Sequence, residues 1–170
     1  YYKLKQLKMK TLILSFLITA SFSFVKIGGD LNKLPSATLK KLNGSKINSN
    51  TFSNDGKPII ISFWATWCSP CINELDELNE VQEEWKKAAN FEIIAVSTDD
   101  SRTQKRVKPL INGKEWNYKI LLDTNQDFKR ALSIVNIPYT IVVKNNKIVH
   151  IQNGYVPGSE VELFEKLKSL

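Results

Sequence analysis

Residues 59–71 read Ile59-Ile60-Ile61-Ser62-Phe63-Trp64-Ala65-Thr66-Trp67-Cys68-Ser69-Pro70-Cys71, and their reading decides the fold. The run from Ile59 to Trp64 is apolar and rich in β-branched side chains, the pattern of a central strand covered on both faces. A helix follows. Ile72, Leu75, Leu78, Val81 and Trp85 recur at three- and four-residue steps with Glu and Lys between, out to about Ala89. The junction holds the chain's 2 cysteines. A thiol placed there meets unpaired backbone N–H groups and the positive end of the helix macrodipole. Both favour the thiolate and lower the pKa from its ordinary value of about 8.5. Cys68 is expected to be the exposed, attacking sulfur, and Cys71, one turn on, the more buried resolving thiol. Pro70 has no N–H to leave unsatisfied in the first turn. Trp67 is expected to shield one side of the sulfur, and Trp64 to be core.

The competing readings of the pair are a structural disulfide and half a metal site. So short a loop makes a poor staple, because closing it removes little chain entropy. A zinc site wants four ligands, and the chain offers 2 cysteines and 1 histidine, His150. Redox chemistry is the favoured reading, with the dithiol as its own redox group and no added cofactor or metal.

Working outward, Thr38–Leu42 and Lys46-Ile47 flank Asn43-Gly44, the signal for a tight β-hairpin. After the helix, Phe91–Val96 is a buried strand. Ser101 with Gln104 forms a capping-box pattern opening a polar helix that Pro109 is expected to disturb. Lys119–Leu122 is a short strand and Asn125–Ser133 a short helix. Tyr139–Val143 and Lys147–Gln152 are strands joined at Asn145-Asn146. Ser159 with Glu162 suggests a second capping box, opening a helix with Val161, Phe164 and Leu167 inward. The class is α/β: a mixed sheet with helices on both faces, since the last two strands are joined too closely for a crossover.

The chain's start has different character. Four lysines (Lys3, Lys5, Lys8, Lys10) and no acid occupy residues 1–23; without them the formal charge falls from +7 to +3, with 20 basic against 17 acidic residues. That balance is an ordinary solvated surface and points to no nucleic acid. Thr11–Ala20 is an uncharged apolar run followed by Ser21 and Ser23, the layout of a secretory signal peptide. Met9 then reads as the initiator and Tyr1–Lys8 as an over-extended start. An uncleaved membrane anchor is the alternative, although the run is shorter than the roughly 20 residues of a spanning helix. The division is residues 1–23 for targeting, 24–37 as linker and 38–170 as the folded domain.

Further candidates lie near the pair. Ile137-Pro138 precedes a strand; as residues alone, a trans strand-start proline is the favoured reading, and a cis bond would turn the Ile137 backbone toward an extended substrate. Glu74 follows Cys71 by three residues on nearly the same helix face. It reads equally as a buried proton carrier for the thiols or as an exposed acid stabilising the helix start. His150 reads as a solvated strand residue, and Asp99 and Asp100 as helix caps.

Phe63-Trp64-Ala65-Thr66-Trp67-Cys68-Ser69-Pro70-Cys71 with Glu74 resembles the TlpA family of thioredoxin-like, exported thiol-disulfide oxidoreductases. The likeness runs from about Leu34 to Leu170 and takes in Ser97-Thr98-Asp99, Ile137-Pro138 and Gly154-Tyr155. It implies a thioredoxin fold with an added N-terminal β-hairpin, catalytic cysteines at Cys68 and Cys71, a cis proline at Pro138 and a role for Glu74 near the thiols. It further implies a reductant of protein disulfides in the periplasm or another extracytoplasmic space, such as apocytochrome c during cytochrome c maturation, drawing on a membrane electron donor. The chain departs from the pattern in three places. Ser62 stands where thioredoxin has a buried Asp, Asp76 where relatives often have Pro, and Tyr139 intervenes between Pro138 and Thr140. Two other functions compete: a thiol peroxidase, against which Ala65 replaces the Thr of a Thr-x-x-Cys site, and a copper chaperone using both thiols and His150.

Overall fold

A computed structural model describes residues 32–52 and 55–170. The expected targeting segment therefore lies outside the described residues. The chain runs β1 (Thr38–Lys41), β2 (Lys46–Asn48), β3 (Ile59–Trp64), α1 (Ser69–Ala88), β4 (Glu92–Ser97), α2 (Val107–Lys114), β5 (Lys119–Leu122), α3 (Asp127–Ala131), β6 (Tyr139–Lys144), β7 (Lys147–Asn153) and α4 (Glu160–Lys168). The 7 strands of the described residues join one sheet in the order β2-β1-β5-β4-β3-β6-β7. The β3–β4 and β4–β5 pairs are parallel, whereas β6, β7 and the β1–β2 hairpin run antiparallel to their neighbours. The expected mixed sheet forms.

Alternation along β3 divides the interior in two. Ile60 and Trp64 face Leu75, Leu78 and Trp85 of α1 and Leu163 and Leu167 of α4. Ile59, Ile61 and Phe63 face the other way, toward Leu39, Val96 and Phe128. Both faces of β3 are covered, which is why its sequence is a continuous apolar run. Phe128 meets Phe63 at a ring-centroid separation of 5.3 Å and Phe52 edge-on at 6.2 Å, anchoring α3 beneath the sheet. The short helix α3 is held by Asp123, whose buried carboxylate accepts from the backbone N–H groups of Phe128 (3.2 Å) and Lys129 (2.9 Å). Asp123→Ala would orphan both donors and should cost about 1–2 kcal/mol, read as a lowered urea midpoint at unchanged slope.

Several local expectations are corrected. Asp100, not Ser101, supplies the turn after β4, accepting from the N–H groups of Arg102 (2.9 Å) and Thr103 (3.2 Å). Pro109 does not disturb α2: it sits at the third helical position, where a backbone N–H has no intrahelical partner to lose. The second capping box is not made. Ser159 makes no side-chain capping bond, and its hydroxyl instead meets the Gln152 amide at 3.4 Å. Val161 is exposed and Leu163 takes the inward place, because the buried stripe of α4 runs through Leu163, Phe164 and Leu167. A bulge between the partners of Val142 and Val143 interrupts the pairing of β7 with β6.

Residues 32–37, read as the end of a linker, pack onto the domain. Leu34 and Ala37 are buried, and Leu34 N–H bonds to the Asn146 carbonyl at 3.0 Å. Among the described residues no helix is long and apolar enough to cross a membrane.

Candidate active site

Cys68 is the residue immediately before α1, with extended backbone angles (φ −97°, ψ 94°). A turn delivers it there: Cys68 N–H donates to the Ala65 carbonyl at 3.0 Å, and the Cys68 carbonyl accepts the first helical bond from Ile72 N–H at 3.1 Å. Pro70 occupies the second helical position, needing no N–H partner. Cys68 and Cys71 are joined as a disulfide, with Cα atoms 5.3 Å apart. Cys68 is 5% exposed and Cys71 0%. Both residues are buried in the closed disulfide, so the exposed Cys68 expected from the sequence is not seen in this state. Trp67 beside it is 61% exposed, an open aromatic face at the mouth of the site. Trp64 is fully buried core, packed edge-on against Trp116 at 5.1 Å.

The Ile137-Pro138 bond is cis, against the residue-level expectation of trans and in keeping with the family likeness. Ile137 packs against the cluster containing Cys68 and Cys71, and the Pro138 carbonyl accepts from Gly154 N–H at 2.9 Å. Trp67, the cysteines and the Ile137-Pro138 segment thus belong to one end of the sheet.

Glu74 resolves to the buried alternative, at 2% exposure. Its carboxylate lies under α1 against a polar row that crosses three strands. Ser62 on β3 is register partner to Thr140 on β6, which in turn pairs with Gln152 on β7. Ser62 Oγ donates to Glu74 Oε2 at 2.9 Å, Thr140 Oγ1 reaches Oε1 at 3.0 Å, and Gln152 Nε2 donates to Oε1 at 3.1 Å. All three donors are neutral. Burial therefore dominates and pushes the Glu74 pKa up from 4.5 to about 7, with the three hydrogen bonds holding it back. Helix geometry places Glu74 one turn from Cys71, within about 5–6 Å between Cβ atoms. The arrangement can hold a proton near the sulfurs at neutral pH. The row has a signal in the sequence: Ser62 and Thr140 are polar residues flanked by apolar ones within buried stretches of β3 and β6.

Asp99 is not a cap. Its carboxylate is buried and turned back to the segment before Cys68, accepting from Thr66 N–H at 2.9 Å, Thr66 Oγ1 at 2.6 Å and Ser97 Oγ at 2.9 Å. Asp76 accepts from Trp116 Nε1 at 2.9 Å and Lys114 Nζ at 2.6 Å, tying α1 to the end of α2 and the segment after it. His150 is half-buried on β7. Among the described residues no group of three or more His, Cys, Asp or Glu could hold a metal ion.

Residues 31–151 match the AhpC/TSA family. The thiol-disulfide oxidoreductase ResA of Oceanobacillus iheyensis is 29% identical over 162 residues, covering 89% of this chain and 83% of that protein. ResA of Bacillus thuringiensis subsp. konkukian is 26% identical over 133 residues, covering 78% and 74%. Among solved structures, a thioredoxin-like protein from Porphyromonas gingivalis is similar at a TM-score of 0.72 and 43% identity, covering 81% of this chain and 90% of that one. StoA from Bacillus subtilis is alike in fold, with a TM-score of 0.62 at 20% identity over 78% of this chain and 97% of its own.

Proposed function

The chain belongs to the AhpC/TSA family and is a thiol-disulfide oxidoreductase of thioredoxin fold, and from that premise we propose that it works outside the cytoplasm as a protein disulfide reductase. The observation that carries the reading is the closed Cys68–Cys71 pair at the start of α1, with Glu74 buried one turn behind it. In the reduced protein the Cys68 thiolate attacks one sulfur of a substrate disulfide. A Cys68–substrate bond forms and the other substrate sulfur leaves as a thiolate. Cys71 then loses its proton and attacks Cys68 Sγ, closing the internal disulfide and releasing the second substrate thiol. Glu74 takes up and returns protons during these steps. Trp67 and the Ile137-Pro138 segment receive the extended substrate chain.

The apolar run Thr11–Ala20 behind Lys8 and Lys10 supports export, and the TlpA likeness supports a periplasmic or comparable setting. There the partners would be protein disulfides, apocytochrome c among them, and a membrane electron donor that re-reduces the pair. Equilibration with glutathione tests the direction of electron flow. A reductant should poise near the thioredoxin end of the range, about −270 mV; a value near about −120 mV would make the protein an oxidant. The peroxidase alternative lacks a hydroxyl three residues before Cys68, where buried Ala65 stands, and sustained peroxide turnover by the purified protein would favour it. Tight stoichiometric copper binding to the reduced protein would favour the chaperone.

A further inference from the structure

Asp99 is 1% exposed, and among the described residues its carboxylate has no cationic hydrogen-bond partner. Burial of a carboxylate is costly unless both oxygens are well used. Here both oxygens are used, and two of the three donors belong to one residue, Thr66. Thr66 is the second residue of the turn closed by Cys68 N–H on the Ala65 carbonyl. The same stretch is gripped from the end of β4 a second time. Thr98 N–H and Oγ1 both donate to the Trp64 carbonyl, at 2.8 and 3.1 Å. Ser97 Oγ in turn donates to Asp99 and accepts from its N–H at 3.2 Å, closing the carboxylate in place.

We propose that Asp99 is a positioning residue for the exchange reaction: through Thr66 it holds the turn that sets the Cys68 sulfur over the start of α1. The inference rests on the reading of Cys68 as the attacking thiol. The helix start stabilises a thiolate only while the sulfur stays close to its unpaired N–H groups, because the effect fades within the first turn. A turn left to move would let the sulfur drift away, and fewer molecules would present it as a thiolate in attack geometry. Thr66 is suited to this task because its side chain and its backbone donate to different oxygens of one carboxylate.

Two substitutions separate holding from charge. Asp99→Asn removes the charge and half of the acceptor capacity, whereas Thr66→Val removes one donor and leaves the Asp99 charge untouched. Glu74 is unchanged in both. The readout is alkylation of Cys68 in the reduced protein as a function of pH, followed by mass spectrometry, together with thermal denaturation. Both variants should ionise Cys68 about 1 pH unit higher than the wild type, a roughly tenfold loss of thiolate at a fixed lower pH, and Thr66→Ser should restore it. Wild-type ionisation in both variants, alongside a lowered melting temperature, would leave Asp99 with a structural role only and overturn the proposal. So would easier ionisation in Asp99→Asn with no change in Thr66→Val, the signature of a field effect. Should Asp99→Asn not fold, the valine and serine variants carry the comparison. A wild-type Cys68 no more acidic than free cysteine would defeat the underlying reading as well; an acidic wild type with indifferent variants defeats the Asp99 role alone.

Discussion

A Cys71→Ala variant is expected to accumulate mixed disulfides with its protein substrates, and a Cys68→Ala variant to accumulate none. The difference follows from access and order. In the closed disulfide both residues are buried, Cys68 at 5% and Cys71 at 0%, but Cys68 precedes α1 beside exposed Trp67 whereas Cys71 lies inside the first turn of the helix. Without Cys71 the first exchange still proceeds, but nothing placed nearby can displace the captured substrate from Cys68. Without Cys68 the remaining thiol cannot reach an incoming disulfide. Turnover should fall in both variants by at least about 10³-fold, as when one member of a catalytic unit is removed. The variants separate on a non-reducing gel of protein mixed with a disulfide-bonded substrate: a reducible higher-mass band for Cys71→Ala alone. Equal trapping by both would contradict the assigned roles, and trapping by Cys68→Ala only would reverse them.

Local pattern made the sheet and its main helix legible. The β-branched run Ile59–Trp64, the periodicity of α1 and the Asn-Gly hairpin are each decided by neighbours in the chain, and each formed within a few residues of its expected place. The errors came from contacts between distant segments. Asp99 and Asp100 stand side by side before the same turn; one caps it, the other reaches back 33 positions to Thr66. Nothing in the local sequence separates them, since either carboxylate fits a cap. Val161 and Leu163 posed the same difficulty, because the inward stripe of α4 depends on where α1 and Trp85 lie. Phe164 stacks on Trp85 with ring centroids 4.6 Å apart, and that contact sets the rotation of the helix. The polar row beneath Glu74 depends on register. Ser62, Thr140 and Gln152 align only once β3, β6 and β7 pair as they do, so spacing from the cysteines alone left Glu74 equally exposed or buried.

A Glu74→Gln variant is expected to be more stable than the wild type at alkaline pH and slower in exchange. The glutamate titrates near 4.5 in an unfolded chain and near 7 in the fold. Between those values the folded state holds more protons than the unfolded state, so stability falls as pH rises through that window and levels off above it. The loss from about pH 5 to about pH 8 should be roughly 2–3 kcal/mol. Glutamine keeps the shape, carries no charge and can be satisfied by the same hydroxyls and amide after they reorient, so the variant should escape that loss. Denaturation at the two pH values should therefore show a stability gap that widens with pH in the variant's favour. Exchange tells the opposite story. A carboxyl poised near neutrality can accept a proton from Cys71 as it attacks and return one to a departing thiolate, and an amide does neither. Loss of such a group slows proton transfer by roughly 10²-fold or more. The wild-type pH–rate profile should contain an inflection near 7 that the variant lacks. If the stability gap stays flat with pH, Glu74 is not the buried acid described here. If the gap widens but the rate and its profile do not change, the carboxylate is present beside the thiols without serving them.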